Sequence, residues 1–276
     1  MIKFQLRKIL YQKETGAAFL IMLVICLLSY VLNCVEFFGE YSSNLIASNQ
    51  LHIIGDSSNL AFILRLIIPL AAALPGSGIY YYEKKNNLLP VAFSRSGSHE
   101  KYYFSHLFAV FAVSFAVVFV PLILNVLLSD LTFPSESVRN IGGHPSSDDP
   151  YYLMRCAKNI LLNSVRINYP QLYSLIFISA MSVFSGFIGI FTYNVSFLFK
   201  KNNYLSFAVF FVCSNIVEAV SAVIYEYGFS IAYFDYLFAD THTKKNMTAF
   251  FGMILLLTAV IAAVAPAAIK KLKKGL

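Results

Sequence analysis

Nearly unbroken runs of apolar residues fill six stretches of the chain, at about 17–38, 60–82, 102–128, 172–199, 204–224 and 247–269. A helix needs about 20 mostly apolar residues to cross roughly 30 Å of hydrocarbon. The pattern therefore predicts an all-α membrane protein of six transmembrane helices, forming a single transmembrane domain over 1–276. The first run is long and no small-residue cleavage site clearly follows it, so it reads as a span and not as a cleaved signal. Ahead of it, "MIKFQLRKILYQKET" at 1–15 places Ile2, Leu6, Ile9 and Leu10 on one side of a helical wheel, with Arg7, Lys8 and Gln12 away from it. That is the pattern of an N-terminal amphipathic helix lying in the membrane interface. A basic anchor that sets topology is a compatible reading.

Polar segments separate the runs; the first, 39–59, is read as an outer loop without Lys or Arg, and two others carry more of the argument. The shorter is 83–101, with Glu83, Lys84, Lys85, Arg95, Glu100 and Lys101. The longer is 129–171, which opens turn-rich with "FPSESVRNIGGHPSSDDP" and turns helical near Asp149–Pro150, a capping pair. A short helix on the outer bundle surface is expected there, with Arg155, Lys158 and Arg166 on its solvated face; contact with a substrate or lipid head groups is the other reading.

Composition agrees with a lipid environment. Of the 276 residues 58% are hydrophobic and 13% charged, against about a quarter charged in a soluble domain. Mean hydropathy is +0.66. Tyr pairs and triplets such as Tyr80–Tyr82 and Tyr102–Tyr103 fall near span ends, where amphipathic rings favour the interface.

The net charge of +7 is explained by where the cations sit. With the N-terminus in the cytoplasm, the inner segments hold Lys3, Arg7, Lys8, Lys13, Lys84, Lys85, Arg95, Lys101, Lys200, Lys201, Lys270, Lys271, Lys273 and Lys274. The outer loops hold only Arg139, Arg155, Lys158, Arg166, Lys244 and Lys245. This positive-inside bias predicts both termini cytoplasmic. It leaves no basic folded domain for a nucleic acid.

Two charges fall within the runs, Arg65 and Glu218. Both are expected in the outer leaflet, where an unpaired charge is costly. An Arg65–Glu218 pair, within one chain or across a dimer, is one reading; snorkelling to the interface is the other. "PLAAALPGSGIYYY" carries Pro69, Pro75, Gly76 and Gly78, which permit a bend and close helix approach. Ser77 in its Gly-Ser-Gly would need a histidine base on another span to act as a nucleophile, and no histidine falls mid-membrane. His144, Asp148 and Asp149 lie on Gly/Pro/Ser-rich chain without ligand spacing, so no metal site is assigned. Cys34 and Cys156 both face outward in this topology, and a disulfide or free thiols remain the two readings. No GxxxxGK[ST] motif is present, so this chain is not expected to be an enzyme or to hold ATP in the P-loop manner.

The segment 83–101 carries a resemblance. Glu83-Lys84-Lys85, Asn86-Asn87, Leu88-Leu89-Pro90, Ser94-Arg95 and Lys101-Tyr102-Tyr103 look like the coupling loop between spans two and three of type V ABC exporter permeases. "IPLAAALP" before it and "FVPLILNVLLS" after it are similar to the flanks in that family. The resemblance is concentrated in about 65–130 and is in particular to permeases of small Firmicute systems, including those for peptide export or lantibiotic self-protection. Asn87 stands where Gly is common, and His99-Glu100 where basic residues are frequent. The resemblance implies an exporter subunit in the cytoplasmic membrane of a bacterium. A second permease copy or a related permease would be one partner, and membrane lipid surrounds both. ABC ATPase subunits would hold ATP and Mg, and this chain holds no cofactor. It implies a coupling set of Glu83, Lys84, Leu88, Leu89, Phe93 and Arg95, with Glu83 and Arg95 as ionic contacts. An amphipathic cargo, peptide or lipid-like, suits the apolar spans. Two alternatives stay open: a non-transporting membrane scaffold or sensor, and a gradient-driven carrier.

Overall fold

The computed structural model describes residues 2–40, 45–55, 60–134 and 162–197, with short stretches beyond at 208, 211–212, 214–217, 219–220, 236–238, 258, 265–266 and 269–270. Every regular element among them is helical. Four helices are long and apolar enough to cross a membrane: Lys13–Glu36, Ala61–Lys85, His99–Thr132 and Pro170–Ser196. They cover the first four expected spans. The expected spans at 204–224 and 247–269 lie largely outside the described residues. So do Glu218, Cys156, His144, Asp148 and Asp149.

Helix α1 (Ile2–Leu10) precedes α2 (Lys13–Glu36). On α2 the buried residues are Thr15, Ala18, Met22, Ile25, Cys26, Ser29 and Asn33, one stripe at helical spacing. Leu20, Ile21, Val24, Leu28, Val31 and Val35 face out. Apart from Met22 and Ile25 the inside is small or polar and the outside large and apolar, the arrangement that lipid favours, because association there depends on close packing and internal hydrogen bonds.

The short α3 (Ser48–Leu51) belongs to a segment, 45–55, that folds back into the bundle. Ala47, Leu51, His52, Ile53 and Ile54 are buried. The span that follows is made of α4 (Ala61–Ser77) and α5 (Ile79–Lys85), separated at Gly78. A Cβ placed on Gly76 would come within 2.4 Å of the Gly189 carbonyl oxygen. The Pro/Gly-rich run is therefore a site of backbone contact between two helices. Ser77 Oγ donates to Leu74 O at 2.9 Å.

Helix α6 (Leu89–Ser96) is a separate element within 83–101. Then α7 (His99–Thr132) runs for 34 residues, about 51 Å at 1.5 Å per residue, so it extends well beyond a 30 Å hydrocarbon layer. Ser98 caps it, its side chain accepting from Lys101 N at 3.1 Å. A short α8 (Asn163–Asn168) is the described part of the helix expected in the 129–171 segment. Helix α9 (Pro170–Ser196) begins with proline at its first position and packs on α7 and α4. Helix α7 is central, touching α1, α2, α3, α4, α6 and α9.

Candidate functional site

A connected set of buried polar groups lies at the end of the bundle that carries α1 and the 83–101 segment. The last turn of α5 supplies Glu83, which is 1% exposed. Its carboxylate accepts from Lys8 Nζ of α1 and from the Tyr102 hydroxyl of α7. Tyr102 and His106 are four residues apart on one face of α7, which brings both to the same carboxylate. His106 Nδ1 faces the Tyr102 carbonyl at 3.1 Å. A carbonyl only accepts, so Nδ1 carries the proton. The other nitrogen, Nε2, lies 3.4 Å from Glu83 Oε1.

Aromatic packing from α9 closes the site. The His106 ring lies parallel to Tyr193, with centroids 5.9 Å apart. The Tyr103 hydroxyl donates to Asn194 Oδ1 at 2.7 Å. Tyr80 packs on Phe197 at 4.3 Å. Thus α1, α5, α7 and α9 meet at one charged centre. An isolated carboxylate here would carry a desolvation penalty of several kcal/mol, which Lys8 and the Tyr102 hydroxyl offset.

The chain then leaves this centre through a specific turn. Leu88 N donates to Glu83 O at 2.9 Å and Asn87 N to Lys84 O at 3.2 Å, with Asn87 at φ +53°. That is a Schellman closure of α5 with a left-handed residue after the cap. Asn adopts this conformation more readily than any residue but glycine, which accounts for Asn87 where Gly is common. Gly97, at φ +71°, makes the corresponding turn after α6.

The expected coupling residues divide into different environments. Lys84 is exposed. Leu88 is 39% and Val91 50% exposed, and both point away from the core. Leu89 is buried and packs into the hydrophobic core as the anchor of α6. Glu83 is sequestered within the chain. Glu83 and Leu89 support the 83–101 segment from inside: the one is paired with Lys8, the other is packed in the core. The side chains of Phe93 and Arg95 lie outside the described residues. Lys8 was expected on the polar, outward side of the first helix. It turns inward instead, because Glu83 offers a buried counter-charge and Gln5 and Ile9 share the inward face. Nothing periodic links Lys8 to a carboxylate 75 positions away; the one available signal was a lone Glu at the end of a span.

At the opposite end, His52 is fully buried. Its Nε2 lies 3.2 Å from Asp130 Oδ1 and its Nδ1 3.0 Å from Ser174 Oγ. The carboxylate fixes the proton on Nε2, and the serine hydroxyl donates to Nδ1. The order resembles a hydrolytic triad, but Ser174 is itself buried, so the three residues act as a pin. Nearby, Asn125 Oδ1 accepts from Ile53 N at 3.0 Å while its Nδ2 donates to Cys26 O at 2.9 Å. Asn33 Nδ2 donates to Leu51 O at 2.9 Å. The 45–55 segment is thus tied to three helices. By its place between two spans this segment is expected as an outer loop, yet it is packed into the bundle. Its apolar Leu51, Ile53 and Ile54 around a histidine were the missed signal.

Arg65 is half-buried, with its guanidinium carbon 4.7 Å from the Phe238 ring centroid. A cation over an aromatic face is worth about 0.5–2 kcal/mol. Its expected partner Glu218 lies outside the described residues. Cys26 is a buried and Cys34 a half-buried free thiol. Comparison with protein-family models, curated proteins and solved structures finds no match.

Proposed function

We propose that this chain is the transmembrane subunit of an ATP-driven ABC exporter, with six spans and both termini in the cytoplasm. A separate ATPase binds ATP and Mg and docks on the 83–101 segment. The observation that carries this reading is α6: a distinct short helix between two spans, anchored by Leu89, with Leu88 and Val91 exposed beside Lys84 and Lys85. Apolar knobs on a short helix ringed by charge suit a partner's groove. Movement of α6 reaches α5 through the Schellman turn and α7 through the Gly97 turn. From Glu83 it also reaches α1 and α7. A second permease copy or a related chain completes the pathway, and an amphipathic peptide or lipid-like molecule is the cargo. The host is a bacterial cytoplasmic membrane.

The test is co-purification of the wild-type chain with its ATPase from the native host, against Leu88→Asp/Val91→Asp. The double variant is expected to fold and insert normally but to lose the ATPase. Retention of the ATPase by the variant would remove the docking role of α6. Recovery of active transport from the chain alone would favour a gradient-driven carrier.

A further inference from the structure

Between α1 and the α5–α6 turn lies a trough in two continuous parts. A cleft of about 430 Å³ is lined by Phe4, Gln5, Lys8, Glu83, Leu88 and Val91 among others. A wider groove of about 810 Å³ includes Arg7, Tyr11, Lys13, Tyr82 and Lys85. The two share Phe4, Lys8 and Leu88. Both fall in the size range of small-molecule sites.

Three features define an occupant. The first is charge. Lys8 is committed to Glu83, but Arg7, Lys13 and Lys85 face the groove with no carboxylate ion pair among the described residues. Glu14 lines the groove and Glu83 the cleft; with Glu83 neutralised by Lys8, Arg7, Lys13 and Lys85 outweigh Glu14, so the wall is net positive and suits an anion. The second is a missing donor. Gln5 is 3% exposed, lines the cleft, and its Oε1 has no hydrogen-bond partner. Oε1 itself is covered, so a turn of the Gln5 side chain into the cleft is needed for it to accept an N–H or O–H from whatever fills the space. The third is position. The groove opens where α1 meets the start of α2, a candidate membrane span, and Ile2, Phe4 and Leu10 on α1, with Tyr11 just after it, are exposed apolar surface. That is the level at which a membrane presents headgroups.

We propose that this trough binds one anionic glycerophospholipid whose headgroup carries a hydroxyl. The phosphate lies against Arg7, Lys13 and Lys85, and the headgroup hydroxyl reaches into the cleft to donate to Gln5 Oε1. The acyl chains leave over the exposed apolar side of α1. Leu88, Val91 and Lys85 are shared with the proposed docking face, so the site is tested on the chain without an ATPase, and its failure is distinguishable from failure of the exporter reading.

The test reconstitutes the full chain in phosphatidylcholine nanodiscs containing a minor fraction of phosphatidylglycerol or phosphatidic acid. Native mass spectrometry then counts retained lipid. Wild type is expected to retain one phosphatidylglycerol in preference to phosphatidic acid. Arg7→Gln/Lys13→Gln/Lys85→Gln is expected to lose it, whereas the charge-matched Lys3→Gln/Lys84→Gln/Lys101→Gln keeps it. Gln5→Leu is expected to hold both lipids equally. If the groove triple variant is poorly folded, Arg7→Gln alone is read, with an expected drop of about five-fold. Equal loss in both triple variants would mean diffuse charge attraction and overturn the site. Unchanged retention in the groove variants would overturn it too. Displacement by soluble glycerol phosphate as effective as that by lipid would identify a free-phosphate site instead and equally overturn the proposal.

Discussion

At Glu83 a full negative charge sits inside the α1 end of the bundle, and its neighbours define what each substitution does. Lys8 neutralises it, Tyr102 donates to it, and His106 lies beside it. Breaking a buried pair from one side leaves the other charge stranded, at a cost of about 3–5 kcal/mol, whereas removing both can be nearly neutral. Because Lys8 retains some exposure, the lower end applies. Lys8→Met is therefore expected to destabilise the chain by about 3 kcal/mol, and Glu83→Gln by a similar or smaller amount, since the amide still accepts from Tyr102. The Lys8→Met/Glu83→Gln double variant should be markedly more stable than the sum of the singles. Thermal unfolding in detergent measures this cycle. Strict additivity would show that the two side chains do not interact in the folded protein.

Helix contact explains which glycines are replaceable. At Gly76 an added Cβ meets the backbone of α9, the Gly189 oxygen at 2.4 Å and the Tyr193 nitrogen at 3.1 Å. Backbone cannot step aside as a flexible side chain can, so Gly76→Ala should force α4 and α9 apart and cost about 1–3 kcal/mol. At Gly16, in the first turns of α2, nothing lies within 4 Å, and Gly16→Ala should be neutral or gain up to about 1 kcal/mol from helix propensity. Midpoints of thermal unfolding for the two variants decide it; equal midpoints would contradict the close approach of α4 and α9. The centres of the first four spans were legible in the sequence because twenty apolar residues have few other uses. Their ends were not. Lys13 and Glu14 extend α2 and His99–Lys101 extend α7, because a helix already formed continues into water as readily as it stops there. Helix α6 was legible as a loop with a purpose, but not the inward turn of Leu89 and Glu83, which depends on the Schellman turn at Asn87. The burial of His52 was illegible for a similar reason. Its partners Asp130 and Ser174 come from distant helices, and no spacing along the chain announces them.

Taken as a whole molecule, the bundle has two chemically distinct ends. One gathers α1, Glu83 and α6, with Lys84 and Lys85 exposed beside them; the other holds the inserted 45–55 segment and the His52 pin. Phe37 and Phe133 pack at 6.0 Å at this second end, and among residues 39–59 there is no Lys or Arg. Cations are retained on the cytoplasmic side during insertion, so the first end should lie inside and the second outside. The opposite orientation would expose Lys84, Lys85 and Lys101 to translocation, against that bias. Two cysteine probes in a background without the native cysteines test it. Phe38, 90% exposed just beyond α2, marks the second end; Ser94, exposed on α6, marks the first. Phe38→Cys is expected to react with a membrane-impermeant maleimide on intact cells. Ser94→Cys should react only after permeabilisation. Reaction of Ser94→Cys on intact cells would place α6 outside, where no cytoplasmic ATPase could reach it.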